Sequence, residues 1–233
     1  MDYTIFYNDL EGLLAGVLPR YTYKMRYPHL SKELTDLMAE DQLEVRALGR
    51  LYVAEGGSKR YEAEQVAAHR HIDARTRRAL EILDEIREPR LSYIGRDGSL
   101  ALSVLALHAT QADLEKVLRA FRHLFGQNRD DCAYDLIPAM QDLLLIQRGE
   151  PQEFGAQWLL SVEDNYPFLP TVAGFTTIDE LNERRATYGR EPLAWPNFIA
   201  MTEEQQPWLK RPLTELVMRA PTDQELSLMT SRK

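Results

Sequence analysis

With 233 residues, 44% of them hydrophobic and 27% charged, the chain has the size and composition of one globular domain, or of one domain with an appended tail. A formal net charge of −8 and an isoelectric point near 5.2 exclude a broad nucleic-acid-binding surface, because neutralising phosphates takes a clustered excess of Lys and Arg. Arg75, Arg77 and Arg78 make a local basic run, but Glu81, Asp84 and Glu85 follow it, which is the pattern of a solvated helix face.

Cys132 is the sole cysteine, so no intramolecular disulfide forms and a reducing compartment is the simplest fit. Its neighbours Asp130 and Asp131 raise a thiol pKa rather than lower it, so an inert cysteine is expected. The N-terminus lacks a basic region followed by an apolar stretch, and no segment approaches the ~20 consecutive apolar residues of a membrane span. The expected address is the cytoplasm, with neither membrane nor nucleic acid as a partner.

Residues 1–30 carry Tyr3, Phe6, Tyr7, Tyr21, Tyr23 and Tyr27 together with Pro19 and Pro28, and read as an aromatic arm with a short helix around 10–18. Ser31 is a candidate N-cap for a helix whose stripe is Leu34, Leu37, Met38, Val45, Leu48 and Tyr52, with Asp41 standing where an apolar residue belongs. After Gly56 and Gly57, a second helix over 60–86 turns Tyr61, Ala68, Ile72, Ala79, Leu80, Leu83 and Ile86 inward, and His69, Asp73 and Thr76 are expected on the same face. Residues 89–99, with Gly95 and Gly98, read as a mobile or ligand-facing loop. Helices over 99–109, with His108 continuing its apolar face, and over 113–125 follow.

The stretch around 131–148 is apolar almost all the way round a helical wheel, the mark of a helix covered on every side, and it holds one carboxylate, Asp142. Beyond it come Gln152 and the turn Phe154-Gly155-Ala156-Gln157, then a helix over 178–188 that Thr177 caps and Gly189 ends. Residues 190–233, with five prolines, Trp195 and Trp208, read as a tail with a short helix near 213–219. No stretch of five residues or more alternates convincingly with a period of two. The fold class expected is therefore all-α, an irregular bundle of about six or seven helices, divided into an arm (1–30), a helical core (31–193) and a tail packed on it (194–233).

Asp41, His69, Asp73, His108 and Asp142 all fall on stripes that should be buried, and a buried carboxylate without a partner costs several kcal/mol. They are expected to pair with one another, with a ligand, or with Arg46 or Arg75 in a purely structural network. His69 and Asp73, four apart on a helix, together with His108, offer a metal-ligand set. An acid–base site needs only His108 and one aspartate within hydrogen-bond reach of a substrate. Neither glycine segment has the lysine–serine or third glycine of a phosphate loop, and no serine nucleophile elbow is present.

Taken in order, Met38-Ala39-Glu40-Asp41-Gln42 with Arg46, then Asp73, His108-Ala109, Asp142 ahead of Gln152-Glu153-Phe154-Gly155-Ala156-Gln157, and Arg184-Arg185 before Gly189 resemble the bacterial domain-of-unknown-function 6624 family over about residues 31–193. The resemblance implies a helical protein whose Asp41, Gln42, Arg46, Asp73, His108, Asp142, Gln152 and Gln157 face one pocket. It implies no particular activity and no particular cofactor. The chain departs from the family pattern at Leu107-His108-Ala109-Thr110, Asp142-Leu143, Arg87-Glu88-Pro89 and Phe154-Gly155-Ala156-Gln157, each time losing a polar or aromatic contact.

Two functional expectations follow from the sequence. One is a pocket for a small molecule or peptide, with His108, Asp73 and Asp142 as acid–base residues and Asp41, Gln42, Arg46, Gln152 and Gln157 as ligand contacts. The other is a non-catalytic interaction protein, such as an adaptor, an accessory subunit or an immunity-type inhibitor, that meets a protein partner through its acidic surface and aromatic flanks.

Overall fold

The computed structural model describes residues 24–55, 58–157, 159–161, 167–168, 178–192 and 216–217. The fold is an irregular all-α bundle. Its described helices are α1 (Pro28–Glu55), α2 (Lys59–Ile86), α3 (Leu91–Ala106), α4 (Gln111–Gln127), α5 (Ile137–Gln147) and α6 (Ile178–Thr187). The chain divides into two compact units between Met140 and Gln141, inside α5.

The first unit is built by α1 to α4. Pro28 begins α1, three residues before the cap expected at Ser31, because a proline's fixed φ and missing N–H suit the first helical position. Ser31 is instead a buried residue of the first turn. The inward stripe of α1 is Leu30, Leu34, Asp41, Val45 and Leu48. Ser58 caps α2, its hydroxyl accepting from the Tyr61 N–H at 3.1 Å. On α2, Ala68, Ile72, Thr76, Ala79, Leu83 and Ile86 are buried at helical spacing. Asp73 lies one position, about 100°, off that stripe and is exposed, contrary to the inward placement expected for it.

The expected loop over 89–99 is instead the beginning of α3. A first turn from Leu91 meets a break at Gly95 (φ 67°, ψ 179°), and the helix then resumes. Every residue from Gly98 to Ala106 is buried, so α3 is as enclosed as the helix expected around 131–148. Asp131 and Asp135 fix this bend, since the Ser92 N–H and hydroxyl both donate to Asp131 at 2.7 Å and Arg96 grips Asp135 at 2.6 and 3.0 Å. Helices α1, α2 and α3 pack on one another, and the Thr76 hydroxyl ties α2 to the Leu105 carbonyl at 3.2 Å. Thr110 caps α4, which buries Leu114, Val117, Leu118, Phe121 and Leu124.

Two short 3₁₀ turns, Arg129–Asp131 and Tyr134–Leu136, occupy the start of the stretch read as a helix from 131, and α5 begins only at Ile137. Cys132 is buried between them, and its thiol is pushed up to about 12, first by burial and then by the charges of Asp135 and Asp131.

In the second unit, three very short strands, β1 (Leu159–Ser161), β2 (Pro167–Phe168) and β3 (Leu216–Val217), pair antiparallel in the order β2-β1-β3. Strands of two or three residues are too short to show alternation, so the sequence gives no sign of them. Leu216 and Val217 are thus extended where a tail helix near 213–219 was expected. The helix expected around 10–18 lies outside the described residues. No helix among the described residues is long and apolar enough to cross a membrane.

Two consequences are open to measurement. A Cβ at Gly95 would stand 2.8 Å from the Met25 sulfur, on a φ/ψ combination that is essentially glycine-only. Gly95→Ala is therefore expected to lower the unfolding free energy in urea by about 1–3 kcal/mol. Cys132 should react with a disulfide reagent only after denaturant is added.

Candidate functional site

The polar residues singled out by the sequence separate into two groups, one in each unit. In the first unit Asp41 is fully buried on the inward stripe of α1, with a relative exposure of 0%. His108 comes from the turn between α3 and α4, where its N–H bonds the Leu105 carbonyl at 3.2 Å. Its Nε2 lies 3.1 Å from Asp41 Oδ2, and its side chain is only 7% exposed. Gln42 donates from Nε2 to the same Oδ2 at 3.3 Å. Because a carboxylate only accepts, the His108–Asp41 contact requires a proton on Nε2, so in the neutral imidazole Nδ1 is the acceptor. Three sequence candidates, Asp41, Gln42 and His108, are thereby brought together.

The opposite side of Asp41 faces α2. Arg75 Nε is 3.5 Å from Asp41 Oδ1, yet neither atom has a hydrogen-bond partner among the described residues. The Arg75 guanidinium instead donates through Nη2 to Glu44 Oε2. The other Glu44 oxygen meets Nδ1 of the exposed His71 at 2.7 Å. A file of polar groups thus runs outward from His108 through Asp41, Arg75 and Glu44 to His71. Glu44 was missed in the sequence. Its signal is the pairing of Asp41 and Glu44, three apart on α1, with His71 and Arg75, four apart on α2.

The remaining candidates of the first unit lie elsewhere. Arg46 and Asp73 are exposed, and His69 is half-buried. The set His69, Asp73 and His108 does not assemble into a metal site. Among the described residues, no three His, Cys, Asp or Glu side chains converge to hold an ion. The cause is angular: His69 and Asp73 flank the α2 stripe, while His108 is already committed to Asp41 on α1.

In the second unit Asp142, Gln152 and Gln157 build a loop. Asp142 Oδ1 accepts from the N–H groups of Glu153 at 2.8 Å and Phe154 at 3.0 Å, and Oδ2 accepts from Ala156 at 2.7 Å. The Gln152 amide pairs with the Gln157 main chain in both directions, at 2.8 and 3.0 Å. The loop carbonyls are taken by α6, with Arg184 donating to Glu153 at 2.9 Å and Arg185 to Phe154 at 2.8 Å. Phe154 also stacks edge-to-face on Tyr188. The carboxylate expected to be catalytic is here the anchor of a turn closed by Gly155 at φ 61°.

Burial raises the Asp142 pKa from 3.8 to about 6, against the opposing pull of its three backbone donors. A folded-state pKa above the unfolded one gives a stability contribution that is complete below pH 3.8 and lost as the pH rises through about 6. The part of the unfolding free energy that depends on Asp142 should fall by about 3 kcal/mol across that window. Urea titrations of the wild type and Asp142→Asn at several pH values measure it, and the difference between the two curves should carry the slope.

No protein-family model, curated protein or solved structure matches this chain.

Proposed function

We propose that this protein binds a small molecule or peptide beside His108 and exchanges a proton with it, His108 being the acid–base group and Asp41 the carboxylate that orients it. The observation that carries this reading is the 3.1 Å contact between His108 Nε2 and the fully buried Asp41. An imidazole fixed by a carboxylate at one nitrogen has a defined ring plane and a defined basic atom, as general acid–base work requires. Gln42, on the same carboxylate oxygen, removes some of the freedom that Asp41 would otherwise have. Asp142, Gln152 and Gln157 are left out of this role, since their polar atoms hold the loop of the second unit. The resemblance to the domain-of-unknown-function 6624 family supports the same choice, because Asp41, Gln42 and His108 are among the residues that carry it.

A library of small polar fragments, followed by amide and imidazole NMR shifts, tests the reading. Hits should move the ring signals of His108 and the amides of Asp41 and Gln42, and should bind His108→Ala at least about tenfold more weakly, a loss of about 1.4 kcal/mol. Fragments that bind the wild type and His108→Ala equally, or that never reach this pair, would refute it.

A further inference from the structure

We infer that the loop of the second unit is a proton-operated latch, in which a proton on Asp142 frees the Gly155–Ala156 peptide group while both ends of the loop stay fastened. The two oxygens of this carboxylate carry unequal loads. Oδ1 accepts from the N–H groups of Glu153 and Phe154, at 2.8 and 3.0 Å. Oδ2 accepts from Ala156 at 2.7 Å, with a longer second reach from the Phe154 N–H at 3.3 Å. Protonation turns one of the two acceptor oxygens into a donor. A proton on Oδ1 would turn two N–H groups away, whereas a proton on Oδ2 displaces Ala156 alone, because Phe154 keeps its bond to Oδ1. Oδ2 is therefore the oxygen that takes the proton, and Ala156 is the donor that loses its partner.

The backbone around Ala156 yields more easily than its neighbours. On one side Phe154 is held twice, by its N–H on Asp142 and by its carbonyl, which Arg185 engages at 2.8 Å. On the other side the Gln157 N–H donates to Gln152 at 2.8 Å. Between these fixed points the Gly155 carbonyl has a longer, 3.4 Å contact with Arg185. Gly155 itself stands at φ 61° with no Cβ to restrict it. Ala156 is half-buried, so water can take its N–H once Oδ2 is lost. Among the described residues, the charged groups around the carboxyl are Glu153 on the loop, which disfavours a second negative charge, and Arg184 and Arg185 of α6, which hold the Glu153 and Phe154 carbonyls. Burial has already raised Asp142 to about 6, which brings the event within reach of mild acidification.

Amide hydrogen exchange in the whole chain, followed from about pH 8 to about pH 4.5 and corrected for the chemical exchange rate of each amide, separates the latch from an ordinary buried acid. If Asp142 only titrates, its three donors respond together, and exchange through global unfolding slows on acidification because protonated Asp142 stabilises the fold. The latch has the opposite sign at one residue. Protection of Ala156 should fall at least about tenfold in acid, the worth of one hydrogen bond to a charged group, while Glu153, Phe154 and Gln157 change by less than about threefold. Asp142→Asn, whose side chain keeps one acceptor atom and replaces the other with a donor, should show the acid pattern at every pH. Asp142→Ala should instead release Glu153, Phe154 and Ala156 alike. Equal losses at the three amides of the wild type, or an Ala156 whose protection is unchanged or higher in acid, overturn the inference. Where Asp142→Asn does not fold, the wild-type profile decides alone on the same criterion.

Discussion

A fully buried carboxylate at the centre of the α1–α2–α3 packing is the constraint around which the first unit is arranged. Removing an aspartate from water costs several kcal/mol unless charge and hydrogen bonds replace the solvent. Asp41 meets that demand with one group from each neighbouring element: Gln42 from its own helix, Arg75 across on α2, and His108 from the turn that ends α3. An apolar residue at this position would complete the stripe of Leu34, Val45 and Leu48 without any of these partners. A carboxylate there makes the approach of three helices depend on polar geometry, and geometry of that kind holds an imidazole at a fixed angle.

The second unit uses the same chemistry for another purpose. Asp142 is also fully buried, but its partners are three backbone N–H groups of its own following loop. Arg184 and Arg185 then collect the carbonyls that face the other way. Donors and acceptors of the loop are thus satisfied by side chains from the helix before it and the helix after it. That accounts for a glycine turn with positive φ at Gly155 between two buried glutamines. The two aspartates look alike in the sequence, each a lone carboxylate on an apolar stripe. Only Asp41 has a titratable side chain as its partner.

Much of the helical framework could be read from the chain. The spacing of Ala68, Ile72, Ala79, Leu83 and Ile86 predicts α2 and its buried face, and the wheel around Leu143 predicts an enclosed α5. Positions one step off a stripe were harder. Asp73 is separated from Ile72 by a single 100° turn, yet that turn takes it to solvent and removes it from any shared site. Gly95 and Gly98 suggest a loop by composition, whereas the chain uses the first as a break inside α3 and the second as the point where Ser31 of α1 comes close. Composition records that a backbone is free to bend, without recording whether the neighbouring elements make use of it.

Asp41, His108 and Asp142 can be recognised from the chain alone as too polar for their places, because each breaks an apolar periodicity and periodicity is a local property. What each of them pairs with is visible only in the folded chain, because a partner sixty-seven residues away, as His108 is from Asp41, is set by the packing of helices and leaves no local pattern. Arg75 and Glu44 belong to the same category. On their own helices they are ordinary charged residues, and they acquire a joint role only where α1 and α2 bring both carboxylates to one guanidinium.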